Sequence, residues 1–210
     1  MTAKNPRTPP HPLSSTSDDV RTLAVDQVLF RIHTVDGRHP VPWNGLREFG
    51  PLPQSRWEPQ PTPPRHHAGN GVAYTATDPT TAFAEVFQNR RRIRVSSDKA
   101  LSAWSPTRPL RLLNLTGTWP IRNGASSSLH AAPKSTTRNW AHQIHVQLAA
   151  PLDLDGLYVP STMTFAPMVV LFHNAHSAFP AAPAFSQLLN QRDARILASK
   201  AAHALNWPLL

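Results

Sequence analysis

The amino-acid sequence predicts an α+β fold with a mixed or antiparallel sheet as its core and helices at its flanks. Strand-like patterns recur along the chain, helical patterns are few, and the two do not alternate regularly as they do in βαβ folds. The chain has 210 residues, 40% of them apolar, which is enough for one sizeable core. We therefore expect one domain over residues 23–210, preceded by a tail over residues 1–22.

The tail is predicted from composition. Residues 1–22 contain four prolines and clustered Ser, Thr and Asp, a mixture that buries too little apolar surface to offset the entropy of ordering the chain. We therefore expect this segment to be flexible. No apolar run follows Lys4 and Arg7, and no stretch reaches the roughly 18 apolar residues of a membrane helix. Neither a secretory signal nor a membrane partner is expected.

The first strand is expected at residues 28–33 (VLFRIH), which have the β-branched and aromatic content of a strand. Its alternation places Leu29 and Arg31 on one face. Residues 37–71 are rich in Gly and Pro and predict a long irregular connection. Loops of this length in a compact domain often carry function.

A strand that turns directly into a helix is predicted over residues 72–87. Residues 72–76 (VAYTA) form the strand, Asp78 caps the helix, and Pro79 occupies its first position. Glu85 lies on the flank of the apolar stripe, near the edge of the core. The stripe consists of Ala82, Phe83, Val86 and Phe87.

The second half of the chain predicts three more strands and two helices. We expect Asp193 to cap the last helix. The strands are expected at residues 109–115, 157–161 and 168–172, and the helices at residues 139–148 and 196–205.

Charge and composition limit the chemistry. The net charge is +9, and 17 of the 21 basic residues are arginines, whose planar donors suit phosphate oxygens. This bias indicates an anionic ligand, although genomic base composition explains the bulk charge equally well. The chain has no cysteine, which excludes disulfides, thiolate nucleophiles and Cys-ligated metals and fits a reducing cytoplasm.

Several familiar sites are not predicted. The sequence contains neither a P-loop nor a G-x-G-x-x-G fingerprint, and no G-x-S-x-G elbow surrounds Ser161. Two histidine pairs with i, i+3 spacing lack a carboxylate partner, so no metal site is expected. The basic run at residues 90–94 (RRRIR) lacks interleaved aromatic residues, so nucleic acid is a weak candidate partner. The histidine pairs are His142 with His145 and His173 with His176.

Four segments, in their order and rough spacing, resemble the RES-domain family of NAD⁺-degrading bacterial toxins. They are RIH at 31–33, SRWEP at 55–59, VAYTATDPTTAFAEVF at 72–87, and DGLYVPS at 155–161 followed by VVLF. The resemblance implies an ADP-ribosyltransferase-like core. It also implies a polar set of site residues, which in this sequence are Arg31, Arg56, Tyr74, Glu85 and Ser161. Two departures are the longer, proline-rich insertion after Arg56-Trp57 and the TMTFAP segment after Ser161.

The resemblance further implies an enzyme that cleaves the nicotinamide–ribose bond of NAD⁺, with water or inorganic phosphate as acceptor. NAD⁺ is then the substrate, and no other cofactor is expected. A cognate antitoxin or immunity protein is the implied macromolecular partner. Within this scheme Glu85, Arg31 and Tyr74 are the candidate catalytic residues, and Arg31, Arg56, Tyr74 and Ser161 are the candidate NAD⁺-binding residues.

The chemistry of these residue types agrees with those roles. Two guanidinium groups on a diphosphate supply charge-assisted bonds of roughly 1.5 to 3 kcal/mol each. A carboxylate such as Glu85 stabilises the positive charge that develops on the ribose as neutral nicotinamide leaves. Tyr74 can stack on a planar ring or donate to a phosphate, and Ser161 can bond the nicotinamide amide or ribose.

Each residue also has a purely structural interpretation. Arg31 and Arg56 can be solvated or ion-paired, Glu85 can pair with nearby arginines, and Tyr74 and Ser161 can be a strand tyrosine and a turn serine. Two other functions remain open. One is transfer of ADP-ribose to a protein, and the other is a non-catalytic basic module that binds nucleic acid.

Overall fold

The computed structural model describes residues 4–210, and its centre is an eight-stranded mixed sheet. The sheet strands are β1 (Val20–Leu23), β2 (Leu29–Thr34), β5 (Val72–Ala76), β6 (Lys99–Trp104), β7 (Leu110–Asn114), β8 (Gly156–Pro160), β9 (Pro167–Phe172) and β10 (Phe185–Leu188). Their order in the sheet is β1-β7-β8-β9-β5-β2-β6-β10, and every neighbouring pair is antiparallel except β7 with β8. The predicted α+β class is confirmed.

Helices flank this sheet, and a short two-stranded ribbon lies in the long connection before β5. The helices are α1 (Pro79–Phe87), α2 (Trp119–Arg122), α3 (Lys134–Ile144) and α4 (Arg192–Leu205), and the ribbon pairs β3 (Phe49–Gly50) with β4 (Arg65–His66). Within the described residues, no helix is both long and apolar enough to cross a membrane.

The core follows from strict alternation along the strands. Successive residues of a strand belong to two different hydrophobic clusters. Leu113 of β7 and Val170 of β9 belong to the first cluster, and Leu112 and Val169 belong to the second. One cluster packs under α3 through Trp140 and neighbouring apolar residues. A third cluster lies where α1 and the alanine-rich face of α4 pack together, and it includes Phe83 and Leu101.

Residues 4–22 differ from the flexible tail that composition predicts. Leu13 is buried in the main core, the Trp119 indole nitrogen donates to the carbonyl of Ser14 at 3.1 Å, and Asn5 accepts from Ser126. Residues 20–23 form β1, which pairs with β7. The polar residues of this segment find partners on the folded domain, and these contacts offset the entropy of ordering it. Residues 1–3 of the predicted tail lie outside the described residues.

The predicted strand–turn–helix at residues 72–87 is present. The Asp78 carboxylate accepts from the backbone nitrogen of Thr81 at 2.8 Å, and Pro79 opens α1, as predicted. The buried face is rotated relative to the predicted stripe. Thr81 and Ala84 are buried, whereas Val86 is 42% exposed. Because α1 packs on both the sheet and α4, its buried face is set by two neighbours.

Other boundaries also differ from the sequence prediction. The helix predicted at 139–148 begins at Lys134 and ends in a π-helical turn over residues 145–149. Gln191, not Asp193, is at the N-cap of α4, and Asp193 instead accepts from the Gln187 side chain at 2.8 Å. Strands β6 and β10 were not predicted, because their Ala- and Ser-containing sequences lack β-branched residues.

Candidate functional site

A cleft of about 300 Å³ lies between β2, β5, α1 and the segments around Trp57 and Lys134. Four of the five predicted site residues line it: Arg31, Arg56, Tyr74 and Glu85. The fifth, Ser161, lies directly behind Glu85 with no solvent exposure. The structure thus brings all five predicted residues together, although they are spread over 131 residues of sequence.

Glu85 is held from the side of the β8–β9 turn. Its Oε1 accepts from the Ser161 hydroxyl at 2.6 Å and from the backbone nitrogen of Thr162 at 3.1 Å. Its Oε2 accepts from the Gln88 side-chain amide at 3.1 Å. These donors fix the carboxylate in one orientation at the wall of the cleft.

Ser161 is a support for Glu85 and does not itself line the cleft. Its hydroxyl donates to Glu85 and accepts from the backbone nitrogens of Met163 and Thr164 at 3.0 and 3.1 Å. Because the hydroxyl is fully buried and already committed to these bonds, direct contact with a ligand would require it to leave them.

Arg31 projects from β2 and is buried. Its Nη1 donates to the carbonyls of Trp43 and Gly45 at 2.9 and 2.8 Å. Burial, reinforced by the positive charge of Arg47, lowers the pKa of Arg31 to about 10, so the guanidinium is still charged at neutral pH. Because only Nη1 makes these bonds, the guanidinium keeps further donors for a ligand, and the residue lines the cleft.

Arg56 faces the same cleft from the long connection. Its Nη1 donates to the carbonyl of Ala132 in the segment before α3. Burial lowers the pKa of Arg56, and the negative charge of Glu85 opposes that change. The two side chains line the same cleft and attract each other electrostatically.

Tyr74 connects the cleft to a buried ion pair. Its hydroxyl donates to Glu58 Oε1 at 3.3 Å, and Glu58, which is fully buried, pairs with Arg47 and accepts from the backbone nitrogen of Leu52. Burial, together with the charge of Glu58, raises the pKa of Tyr74 well above its usual value. The phenol therefore keeps its proton at neutral pH and can act as a donor or a ring contact, but not as a base.

Comparison with known proteins identifies the family to which the chain belongs. The family model described as "RES domain" matches residues 28–194, which include all five residues of the predicted set. The chain belongs to the RES-domain family. No curated protein is detectably similar to it in sequence.

The fold of this RES domain is also similar to a solved structure. A chain in the crystal structure of the M. tuberculosis MbcT–MbcA toxin–antitoxin complex superposes with a TM-score of 0.54. The sequences are 18% identical, and the match covers 85% of this chain and 92% of that chain. At 18% identity, this similarity shows that the two chains share a fold.

The RES domain also contains site residues that sequence reasoning missed. Glu58 and Arg47 support Tyr74 from behind, His33 follows Arg31 on the same face of β2, and Lys134 begins α3 at the cleft. The alternation that placed Arg31 at the cleft also predicts His33 there. Nothing in the sequence distinguishes Lys134, and the proline-rich sequence around Glu58 does not predict a buried carboxylate there.

His33 is fixed as a neutral ring. Its Nδ1 donates to the carbonyl of Val41 at 2.9 Å, so its Nε2 accepts from the Ser102 hydroxyl at 2.9 Å. Burial lowers the pKa of His33, Arg31 lowers it further, and the bond to Val41 opposes both. The ring therefore fills the wall of the cleft without adding charge at neutral pH.

The cleft is chemically asymmetric. The ionised side chains that line it are the cations of Arg31, Arg56 and Lys134 and the single carboxylate of Glu85. Such a site suits a ligand with several negative charges that places a group of developing positive charge beside Glu85. Within residues 4–210, no cluster of three or more His, Asp or Glu side chains is arranged to hold a metal ion.

Proposed function

We propose that this RES domain binds NAD⁺ in the cleft and breaks the bond between nicotinamide and ribose. The observation that carries the proposal is the Glu85 carboxylate, fixed by Ser161 and Thr162 at the wall of a cleft whose other ionised side chains are the cations of Arg31, Arg56 and Lys134. NAD⁺ has the matching parts, namely a diphosphate for the cations and a ribose that becomes positively charged as nicotinamide leaves.

The reaction is a substitution at the ribose C1′. The C1′–N bond breaks, its electron pair leaves with neutral nicotinamide, and the ribose passes through an oxocarbenium-like transition state. An oxygen of water or inorganic phosphate then bonds to C1′ and releases its proton. Glu85 stabilises the transient cation, and its donors prevent it from turning away.

One carboxylate is sufficient for this reaction because nicotinamide leaves as a neutral molecule and needs no general acid. The surroundings of the second carboxylate support a mechanism with a single carboxylate. Glu58, the other nearby carboxylate, is fully buried and bonded to Arg47, Tyr74 and Leu52. Its role is to hold the Tyr74 hydroxyl, while the Tyr74 ring contacts the substrate.

Arg31 and Arg56 are the proposed diphosphate ligands. Each guanidinium is anchored on backbone carbonyls through Nη1, and each is partly stripped of water, which strengthens its attraction for an anion. Rigid anchoring also lowers the entropy lost when the substrate binds. Ser161 contributes through Glu85 and not through direct contact with NAD⁺.

The proposed biological role is a toxin that depletes NAD⁺ in the cytoplasm and is neutralised by a cognate antitoxin. Membership of the RES-domain family and the likeness to a chain of a toxin–antitoxin complex support this role. The partner would act by binding the chain and suppressing its activity until it is removed.

The test is to incubate the purified protein with NAD⁺ carrying a label in its adenine, with and without inorganic phosphate. Chromatography then follows free nicotinamide and the labelled product. We expect nicotinamide release, with the label in soluble ADP-ribose or its phosphorylated form. Label on a macromolecule would instead show transfer to protein. Intact NAD⁺ under both conditions, from folded protein freed of any bound inhibitor, would reject the proposal.

A further inference from the structure

The β8–β9 turn carries an aromatic side chain that packing does not explain. Phe165 is 74% exposed, more than any other large apolar residue among those the structure describes. Its backbone has φ of +60°, in the left-handed region that a bulky residue rarely adopts. Strained positions of this kind concentrate at ligand sites, because the surrounding structure must hold them in place.

Several hydrogen bonds hold this turn rigidly against the cleft. The Phe165 nitrogen donates to the carbonyl of Ser161 at 3.2 Å, and the Ser161 nitrogen donates to the carbonyl of Ala166 at 2.9 Å. The hydroxyl of Thr164 bonds that of Thr81 in α1 at 2.8 Å. The exposed ring is thus attached to the same turn that supports Glu85 and, through Thr162, lines the cleft.

A second ring contacts Phe165 from the segment before α3. The ring of His130 lies edge-on to Phe165, with centroids 6.1 Å apart and planes at 74°. His130 is fixed by a bond from Nδ1 to the carbonyl of Ser127 at 3.2 Å. The segment that follows contacts the cleft twice, where Ala132 accepts from Arg56 and where Lys134 lines the wall. The contact between the two rings therefore joins the β8–β9 turn to the segment before α3, and both of these segments also contribute residues to the cleft.

We propose that Phe165 and His130 form the subsite for the adenine base of the dinucleotide, an inference that rests on the proposed function. The order of groups fits a substrate laid along the cleft, with its ribose at Glu85, its diphosphate at Arg31 and Arg56, and its adenine beyond Arg56, which donates to Ala132 close to His130. The Phe165 ring stacks on the base, and the edge of His130 limits where the base can slide. An exposed ring has most of its surface available for such stacking.

The first test measures binding without catalysis, using ADP, which has adenine and a diphosphate but no nicotinamide. Titration calorimetry compares ADP with inorganic pyrophosphate for the wild type and for Phe165→Ala. We expect the substitution to weaken ADP binding about 5- to 150-fold, the range for loss of one base–aromatic stack, and to leave pyrophosphate binding unchanged. Phe165→Trp should retain the affinity for ADP.

The matched control is Ile121→Ala, which removes an exposed apolar side chain from α2, where it does not line the cleft. It should not change the affinity for ADP. Equal affinity of Phe165→Ala and the wild type for ADP, or parallel losses for ADP and pyrophosphate, would overturn the subsite. A wild type that does not bind ADP would also overturn it.

The second test separates this inference from the proposed reaction. Nicotinamide mononucleotide lacks adenosine, so Phe165→Ala should raise the KM for NAD⁺ and leave the KM for the mononucleotide unchanged. Equal increases for both substrates would place the ring at the nicotinamide half and contradict the proposal. If the wild type releases no nicotinamide, the proposed reaction fails, and the ADP titration still decides whether the aromatic pair binds a base.

Discussion

Two charged regions lie near the C-terminal end of α1, one held inside the cleft and the other exposed to solvent. Glu85 faces the cleft, and three donors on Ser161, Thr162 and Gln88 hold it. One turn later begins the arginine run (Arg90, Arg91, Arg92 and Arg94), whose four side chains are exposed. Placement, not the quantity of charge, therefore distinguishes a site from a solvated helix end.

The arginines of the cleft show the same contrast within one residue type. Arg31 is 8% exposed and donates to two backbone carbonyls, and burial lowers its pKa to about 10. The protein accepts the cost of desolvating this cation, which the arginine run avoids. A costly buried cation aimed at a cleft is a stronger indication of an anionic ligand than a net charge of +9.

The largest expected effect is on turnover by Glu85→Gln. The substitution keeps the size and most hydrogen bonds of the side chain but removes the charge that stabilises the ribose cation. We expect nicotinamide release to fall on the order of 10²-fold or more, with a smaller change in NAD⁺ affinity. Asp26→Asn, at an exposed position, is the control and should have wild-type turnover. Undiminished turnover in Glu85→Gln would remove this carboxylate from the mechanism.

The next effect concerns the cleft arginine Arg56, compared with Arg92 in the arginine run. Arg56→Gln removes a charge-assisted contact to the diphosphate, which corresponds to roughly a 10- to 100-fold weaker affinity for NAD⁺. Arg92→Gln removes the same charge from the exposed run and should leave the affinity unchanged. Affinity is measured by titration with NAD⁺ on the Glu85→Gln background. Equal losses of affinity in the two variants would show that binding depends on the total positive charge of the protein and not on the position of Arg56.

A smaller effect is expected from Ser161→Ala, because this serine acts through Glu85. Losing the 2.6 Å bond loosens the carboxylate, so kcat should fall about tenfold while KM changes little. Ser199→Ala, on the exposed face of α4, controls for a serine lost elsewhere. A rise in KM with unchanged kcat would instead indicate that Ser161 binds the substrate directly.

The sequence predicts the site better than it predicts the periphery. Asp78, Pro79 and Glu85 are part of a local strand–turn–helix pattern, and local patterns survive folding. Glu58 shows the opposite case, because its burial among Arg47 and Tyr74 depends on contacts between segments distant in the chain. Composition cannot foresee such contacts.

The same reason explains why the sequence does not predict the ordered N-terminal segment or the interior strand β6. Residues 4–22 are polar and rich in proline, yet Leu13 finds a place in the core and Ser14 accepts from Trp119. In β6, Ser102 is fully buried only because His33 and Ser186 bond its hydroxyl from the two neighbouring strands. A short polar residue in a strand becomes favourable once tertiary partners are present.

The desolvation of the cleft also predicts a pH dependence of stability. Because burial lowers the pKa of His33, the unfolded chain binds more protons than the folded protein as the pH falls below 6.5. The free energy of unfolding should therefore decrease from pH 7.5 to pH 5.5. In His33→Gln this decrease should be shallower, whereas replacing the exposed His203 by Gln should leave the slope as in the wild type. Thermal unfolding at several pH values measures this, and identical slopes in all three proteins would contradict it.

The smallest expected effect is at the arginine run itself. Replacing Arg90, Arg91, Arg92 and Arg94 together by Gln should leave nicotinamide release unchanged, because these exposed side chains are not part of the cleft. Each exposed substitution should also change stability by no more than about 0.5 kcal/mol. If the chain binds nucleic acid through this run, the variant will show a weaker salt dependence of that binding while its turnover of NAD⁺ stays intact. Lost turnover would mean that the run contributes to substrate binding, and the contrast between Glu85 and the arginine run would no longer separate a site from a surface.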